Sequence, residues 1–294
     1  MRGLRFVLTA AVLLLGSAAH AAEPLLSPLG DDSFRLKLWG WTESAWDTKS
    51  DTLDYAAMLR LRASIETNAP WGAFVEMDFT KGVGEKDNWL RQGYVSYDVN
   101  DHLQLRAGRL FMAAFGATPP PFMLRTVNYM RFPFPVYGWG VQVAATPGSW
   151  DITWDVTGDA NRRYNAGGNF DSLSSSAKIL YNVSPTLQVG TALAATIDYK
   201  RIALVTTWHP DERNFLNAAA YATADGIRNN GGYVFYGYEA WKGVELHGQL
   251  DYEANASREL RATAGVRFDV GRFRLIVDHE LNEDETFARF QFSF

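Results

Sequence analysis

The chain has 294 residues, with 28 lysines and arginines against 33 acidic residues, five histidines and no cysteine. An acidic balance argues against a nucleic-acid partner, whose binding proteins carry a basic face. The absence of cysteine excludes a disulfide scaffold and thiolate-held zinc or iron–sulfur sites. No other metal spacing, phosphate loop or nucleotide fingerprint is present, so neither cofactor nor metal is expected.

Residues 1–21 read as a cleaved signal peptide. Arg2 and Arg5 form its positive start, residues 6–15 its apolar run, and Ala19-His20-Ala21 the small–x–small cleavage pattern. The run is too short for a bilayer-spanning helix, which takes roughly 20 apolar residues. Residues 22–294 then form one domain, with 26 basic and 33 acidic side chains and a formal net charge of −7.

From there the sequence is a series of short alternating segments. In 55–67, Leu59, Leu61, Ala63 and Ile65 share one face, while Arg60, Arg62, Ser64 and Glu66 share the other. A turn at 68–72 contains Pro70 and Gly72, and the return strand sets Ala73, Val75, Met77 and Phe79 against Glu76, Asp78 and Thr80. The same alternation recurs around Tyr97, Leu105, Trp154, Leu250 and Val266.

Connection lengths separate a membrane barrel from a soluble sandwich. Tight turns fall near Ala69-Pro70, Asn100-Asp101, Pro147-Gly148, Ser184-Pro185, Pro210-Asp211, Lys242-Gly243 and Gly271. Longer polar connections lie between them, as in barrels with short turns at one rim and long loops at the other. The expected fold class is therefore all-β: a transmembrane antiparallel β-barrel of about sixteen strands. Segments 34–47 and 198–240 lack a clear phase, which leaves fourteen or eighteen open. Aromatic residues cluster at the strand ends (Trp71, Trp89, Tyr97, Trp139, Trp150, Tyr181, Trp208, Trp241, Tyr252, Phe268, Phe273), where membrane girdles form.

The connection 112–135, after the fifth strand, is too apolar for a free outer loop, and five prolines bar it from pairing as a strand. It is expected to fold inward as a constriction loop. It carries Arg125 and Arg131 and no acid. The inward faces add Arg60, Arg62, Arg106, Arg267, Arg274 and Arg289, opposed by Glu66, Glu76 and Asp78. Arginine rings favour anions, so these pore-lining residues suggest a slight anion preference.

An enzyme would need a nucleophile and a base held together. Beyond the leader the histidines are His102 and His209 in turns, His279 on an outward face, and His247 on the lumen face with no serine beside it, so no catalytic site is expected. The chain ends Phe290-Gln291-Phe292-Ser293-Phe294. This resembles the C-terminal signal strand of Gram-negative outer-membrane proteins, and implies barrel-assembly machinery and outer-membrane lipids as partners.

The stretches LRLRASIETNAPWGAFVEMDFT (59–80) and YVSYDVNDHLQLRAGRLFMAAFG (94–116) carry a further resemblance. Over about residues 58–145 the chain resembles the phosphate-selective porin O and P family. That resemblance implies a homotrimer of barrels, an inward loop and a cationic path for anions. The family's lysine-rich anion trap has no matching positions here, where only Lys37 and Lys178 fall on inward faces. The function expected is an outer-membrane porin passing small ions or polar solutes, with a phosphate-type anion channel or a barrel enzyme as alternatives.

Overall fold

The computed structural model describes residues 29–31, 34–47, 58–80, 90–116, 137–158, 173–195, 200–224, 230–254 and 260–293. The leader, Trp89, Arg125, Arg131 and Phe294 lie outside them. The strands in chain order are β1 (Leu29–Asp31), β2 (Phe34–Asp47), β3 (Met58–Thr67), β4 (Trp71–Thr80), β5 (Leu90–Asn100) and β6 (Leu103–Phe111). A 3-10 turn, η1 (Ala113–Gly116), precedes β7 (Tyr137–Ala145), β8 (Trp150–Gly158), β9 (Ser174–Ser184), β10 (Leu187–Ala195) and β11 (Lys200–Trp208). The chain continues through β12 (Asn214–Ala224), β13 (Gly231–Trp241), β14 (Val244–Glu253), β15 (Leu260–Val270), β16 (Phe273–Glu280) and β17 (Glu285–Ser293).

Each strand from β2 to β17 pairs antiparallel with its sequence neighbours, and β17 returns to β2 through Phe287↔Asp47 to Ser293↔Trp41. The result is a closed ring of sixteen strands. Closure matters physically, because an open edge would leave backbone donors and acceptors unpaired in hydrocarbon. The three-residue β1 folds back on the start of β2, which β17 leaves uncovered.

All seven tight turns expected from the sequence lie between consecutive strands. Gly148, Gly243 and Gly271 take φ of 59°, 78° and 58°, a left-handed conformation that glycine adopts without steric cost. The ambiguous segments resolve into β2 and into β11, β12 and β13, with a short connection at 196–199 that periodicity does not reveal. Most strands are nine to eleven residues long, the length that crosses a bilayer at a tilt of about 45°.

Residues opposed in register face the same side of the sheet, so one buried carboxylate orients the whole ring. Glu76 is 1% exposed, and Asp155, Asp278 and Gln249 are equally enclosed. Following the pairings from them puts the polar alternate residues inside the barrel. The apolar alternates point out, where Leu204 is 62% and Val141 and Leu250 are 55% exposed. Large exposed apolar side chains on strand after strand are what a transmembrane barrel turns toward lipid. The described aromatic residues of the expected girdles lie on this outer face. Two pairs beside tight turns touch across strands, Trp71 with Tyr97 at 4.5 Å and Trp150 with Tyr181 at 4.8 Å.

Candidate functional site

A ring of sixteen strands encloses a lumen wide enough for water, and what lines it decides what passes. On β3 and β4, Arg62 Nε donates to Glu76 Oε2 at 2.5 Å. Glu66 binds Lys37 at 2.6 Å near the tight-turn rim. Arg60 and Asp78 oppose each other in register, but their side chains lie outside the described residues. Arg106 on β6 donates to Gln104 at 2.6 Å and to Gln142 at 2.9 Å, and sits over the Tyr94 ring.

Beyond the β17–β2 pairing, the inner wall of β14–β16 is more charged. Arg267 bridges Glu245 at 2.8 Å and Asp269 at 2.9 Å, and Arg274 reaches the same Asp269 at 2.6 Å. Arg289 faces inward opposite Ile276. Arg62, Arg267 and Arg274 are matched by carboxylates, and a matched pair presents a much smaller net field to a passing ion than a bare guanidinium. Among the described inward side chains, carboxylates outnumber basic groups.

A second sector of the inner wall is largely apolar. Leu180, Ala192, Ala194, Ala203, Val205, Ala219, Tyr221, Tyr233 and Phe235, on β9 to β13, form one buried apolar cluster. Arg201 stacks over Tyr221 at 4.2 Å, and the Tyr233 hydroxyl donates to Asn217. Alternation does not reveal these inward aromatic residues, because β12 and β13 carry apolar residues on both faces.

The cluster also contains Met112 and Ala114. After β6 the chain therefore turns into the lumen and lays η1 against the inner face of β8, β9 and β10. This is the inward turn expected for 112–135 as far as Gly116; residues 117–136 lie outside the described set.

His247 is the one histidine in this wall. Its Nε2–H donates to Asp278 Oδ1 at 2.7 Å, and its Nδ1 lies 3.4 Å from Glu245 Oε1. Both ring nitrogens thus face carboxylates within the wall. No group of three or more metal-ligating side chains occurs among the described residues.

No protein-family model and no curated protein matches the sequence. Solved structures do match in shape. An engineered variant of Rhodopseudomonas blastica porin superposes with a TM-score of 0.66 at 12% identity, over 88% of this chain and 100% of that one. The outer-membrane expressed OmpT of Vibrio cholerae matches with a TM-score of 0.64 at 9% identity, over 91% of this chain and 100% of that one. The chain shares the porin barrel fold. At these identities the likeness carries the fold and nothing finer.

Proposed function

We propose that this protein is an outer-membrane channel through which small polar solutes diffuse passively. One observation carries the reading: a closed sixteen-stranded barrel is apolar and exposed outside, charged and hydrogen-bonded inside, with the chain after β6 turned into its lumen. A soluble β-sandwich would have the opposite polarity. Export through the 1–21 leader, insertion guided by the terminal Phe294 and assembly as a homotrimer complete the proposal.

Ion selectivity is weak on this reading. Three wall arginines, Arg62, Arg267 and Arg274, are matched by acids, so an anion preference rests mainly on Arg125 and Arg131, in a segment without an acidic residue. A phosphate-specific path like that of the porin O and P family has less support, since its lysine trap has no counterpart. A barrel enzyme has less again, because His247 is held between two carboxylates.

The test is single-channel recording in a planar bilayer across a salt gradient. Uniform steps with a reversal potential only slightly displaced from zero are expected, without block by phosphate. Removing residues 117–130 is expected to raise the conductance, and Arg125→Glu with Arg131→Glu to move the reversal potential toward cations. Purified, folded protein that gives no steps refutes the channel reading.

A further inference from the structure

Asp155 is 0% exposed although it points into the lumen of a water-filled barrel. A carboxylate on such a wall normally keeps its water, because desolvating it without partners is costly. Its burial here has a visible cause: η1 lies across it. The Ala113 backbone N–H donates to Asp155 Oδ2 at 2.5 Å, and the Ser176 hydroxyl donates to the same oxygen at 2.8 Å. The Ala114 N–H in turn donates to Ser176 Oγ at 3.2 Å. The opening N–H groups of a helical turn have no partner within it, so β8 and β9 satisfy two donors the turn leaves open.

The chain just before the turn is held as well. Gln142 on β7 donates to the Phe111 carbonyl at 3.1 Å, and its other amide atom accepts from Arg106. To reach β8 from β6 the chain must cross β7, whose inner face there offers Gly138 and Gly140. Met112 and Ala114 then pack into the apolar sector of the wall. Polar anchors on three successive strands thus fix one direction of entry into the lumen.

Resting on the channel reading, we propose that Asp155, with Ser176 as its partner, is the positioning residue that holds the chain after β6 inside the barrel and so sets the pore's cross-section. Asp155 touches no solute. It acts by accepting from the backbone of the segment that occupies the lumen. Its carboxylate suits the task because it takes both donors on one oxygen without offering a competing donor of its own.

The chain has no cysteine, so Ala114→Cys supplies a single buried thiol as a reporter. In folded, detergent-solubilised protein its reaction with a water-soluble maleimide should be slow. Adding Asp155→Ala is expected to speed it about tenfold, the equivalent of about 1.4 kcal/mol of easier opening. Ser176→Ala is expected to speed it less, since the carboxylate still accepts from Ala113. In bilayers, Asp155→Ala should raise the conductance and replace a single level by several.

Unchanged labelling in Asp155→Ala overturns the anchor, as does faster labelling with wild-type conductance and a single level. Should Asp155→Ala fail to assemble, Ser176→Ala decides alone, and an unchanged labelling rate there overturns the proposal. If the unsubstituted protein forms no channel, the channel reading falls instead, while the labelling rates still judge the anchor.

Discussion

Gly265 is the position where one added methyl group should cost the barrel most. His247 on β14 and Asp278 on β16 are two strands apart, and Gly265 on β15 stands in register with both. Their 2.7 Å hydrogen bond passes over the glycine. A Cβ there would lie 2.1 Å from Asp278 Oδ1 and 2.4 Å from His247 Nε2, so methyl and hydrogen bond cannot coexist. Both side chains are almost fully enclosed, at 0% and 1% exposure. Breaking a buried hydrogen bond to a charged group costs about 1.5–3 kcal/mol, and moving the Val277 carbonyl, 2.7 Å from the same Cβ, adds to that. Gly265→Ala is therefore expected to destabilise the barrel by about 2–3 kcal/mol. Gly248 is the internal control. It faces outward, and its added Cβ would meet only the Thr263 carbonyl at 3.7 Å. Gly248→Ala should be neutral or stabilising by up to about 1 kcal/mol, through the unfolded chain. Guanidinium unfolding in detergent, followed by tryptophan fluorescence and by the heat-sensitive gel mobility of folded barrels, compares the two. If Gly265→Ala unfolds at the same midpoint as Gly248→Ala, the link across β15 is not what the glycine is for.

Purified mature protein should need detergent for extraction and show strand-dominated circular dichroism; full solubility without detergent would contradict the outward apolar belt. Arg62→Ala strips the guanidinium from the enclosed Glu76, and a loss on the order of 1–3 kcal/mol is expected in the same unfolding assay, discounted because Arg62 is about one-third exposed. Glu76→Gln added to it should recover part of that loss, and no recovery would mean the pair is not coupled. On the proposal that the terminal Phe294 guides insertion, Phe294→Asp should cut the amount of assembled barrel; unchanged assembly would make the aromatic terminus incidental. Asp211, in the tight turn before β12, has its carboxyl held below the usual carboxylate range by the Arg213 N–H, then by Asn214. A lowered folded value means the turn's stabilisation is present above the ordinary carboxylate pKa and is lost as pH falls through the folded value. The amide resonances of Arg213 and Asn214 should report that acidic midpoint, and a midpoint at the ordinary value would remove the turn's role.

The barrel was legible because its wall is written locally. A strand with lipid on one side and water on the other must alternate, and a tight turn must carry Gly, Pro, Asn or Asp, so β3–β6 and β14–β17 can be read almost residue by residue. Legibility failed where that contrast fails. β12 reads NFLNAAAYATA, with alanine at 218, 220 and 222 outward and at 219 inward. β13 sets Tyr233 and Phe235 inside against Val234 and Tyr236 outside. These strands contribute Tyr221, Tyr233 and Phe235 to the apolar cluster that also takes in Met112 and Ala114, so the blurred pattern follows from an inner wall that is itself apolar there.

The site divides by how far apart its partners are in the chain. Pairs within one hairpin follow from the turn: residues symmetric about Ala69 oppose each other, which puts Arg62 against Glu76 and Arg60 against Asp78. The same register sets the acids that oppose the arginines directly across from them, which is why any selectivity is expected to be weak. Glu245 and Arg267 obey the same symmetry across a longer connection, where the register is harder to place. The remaining contacts skip strands. Asp155 reaches Ala113, 42 residues away, and His247 reaches Asp278, 31 residues away. No periodicity encodes either, because each depends on a gap: the inward glycines of β7 in one case, Gly265 in the other. An inward glycine on a strand that otherwise alternates large and polar residues is thus the sequence feature through which such contacts become predictable. It marks where the wall is thin enough for something from beyond the neighbouring strand to cross.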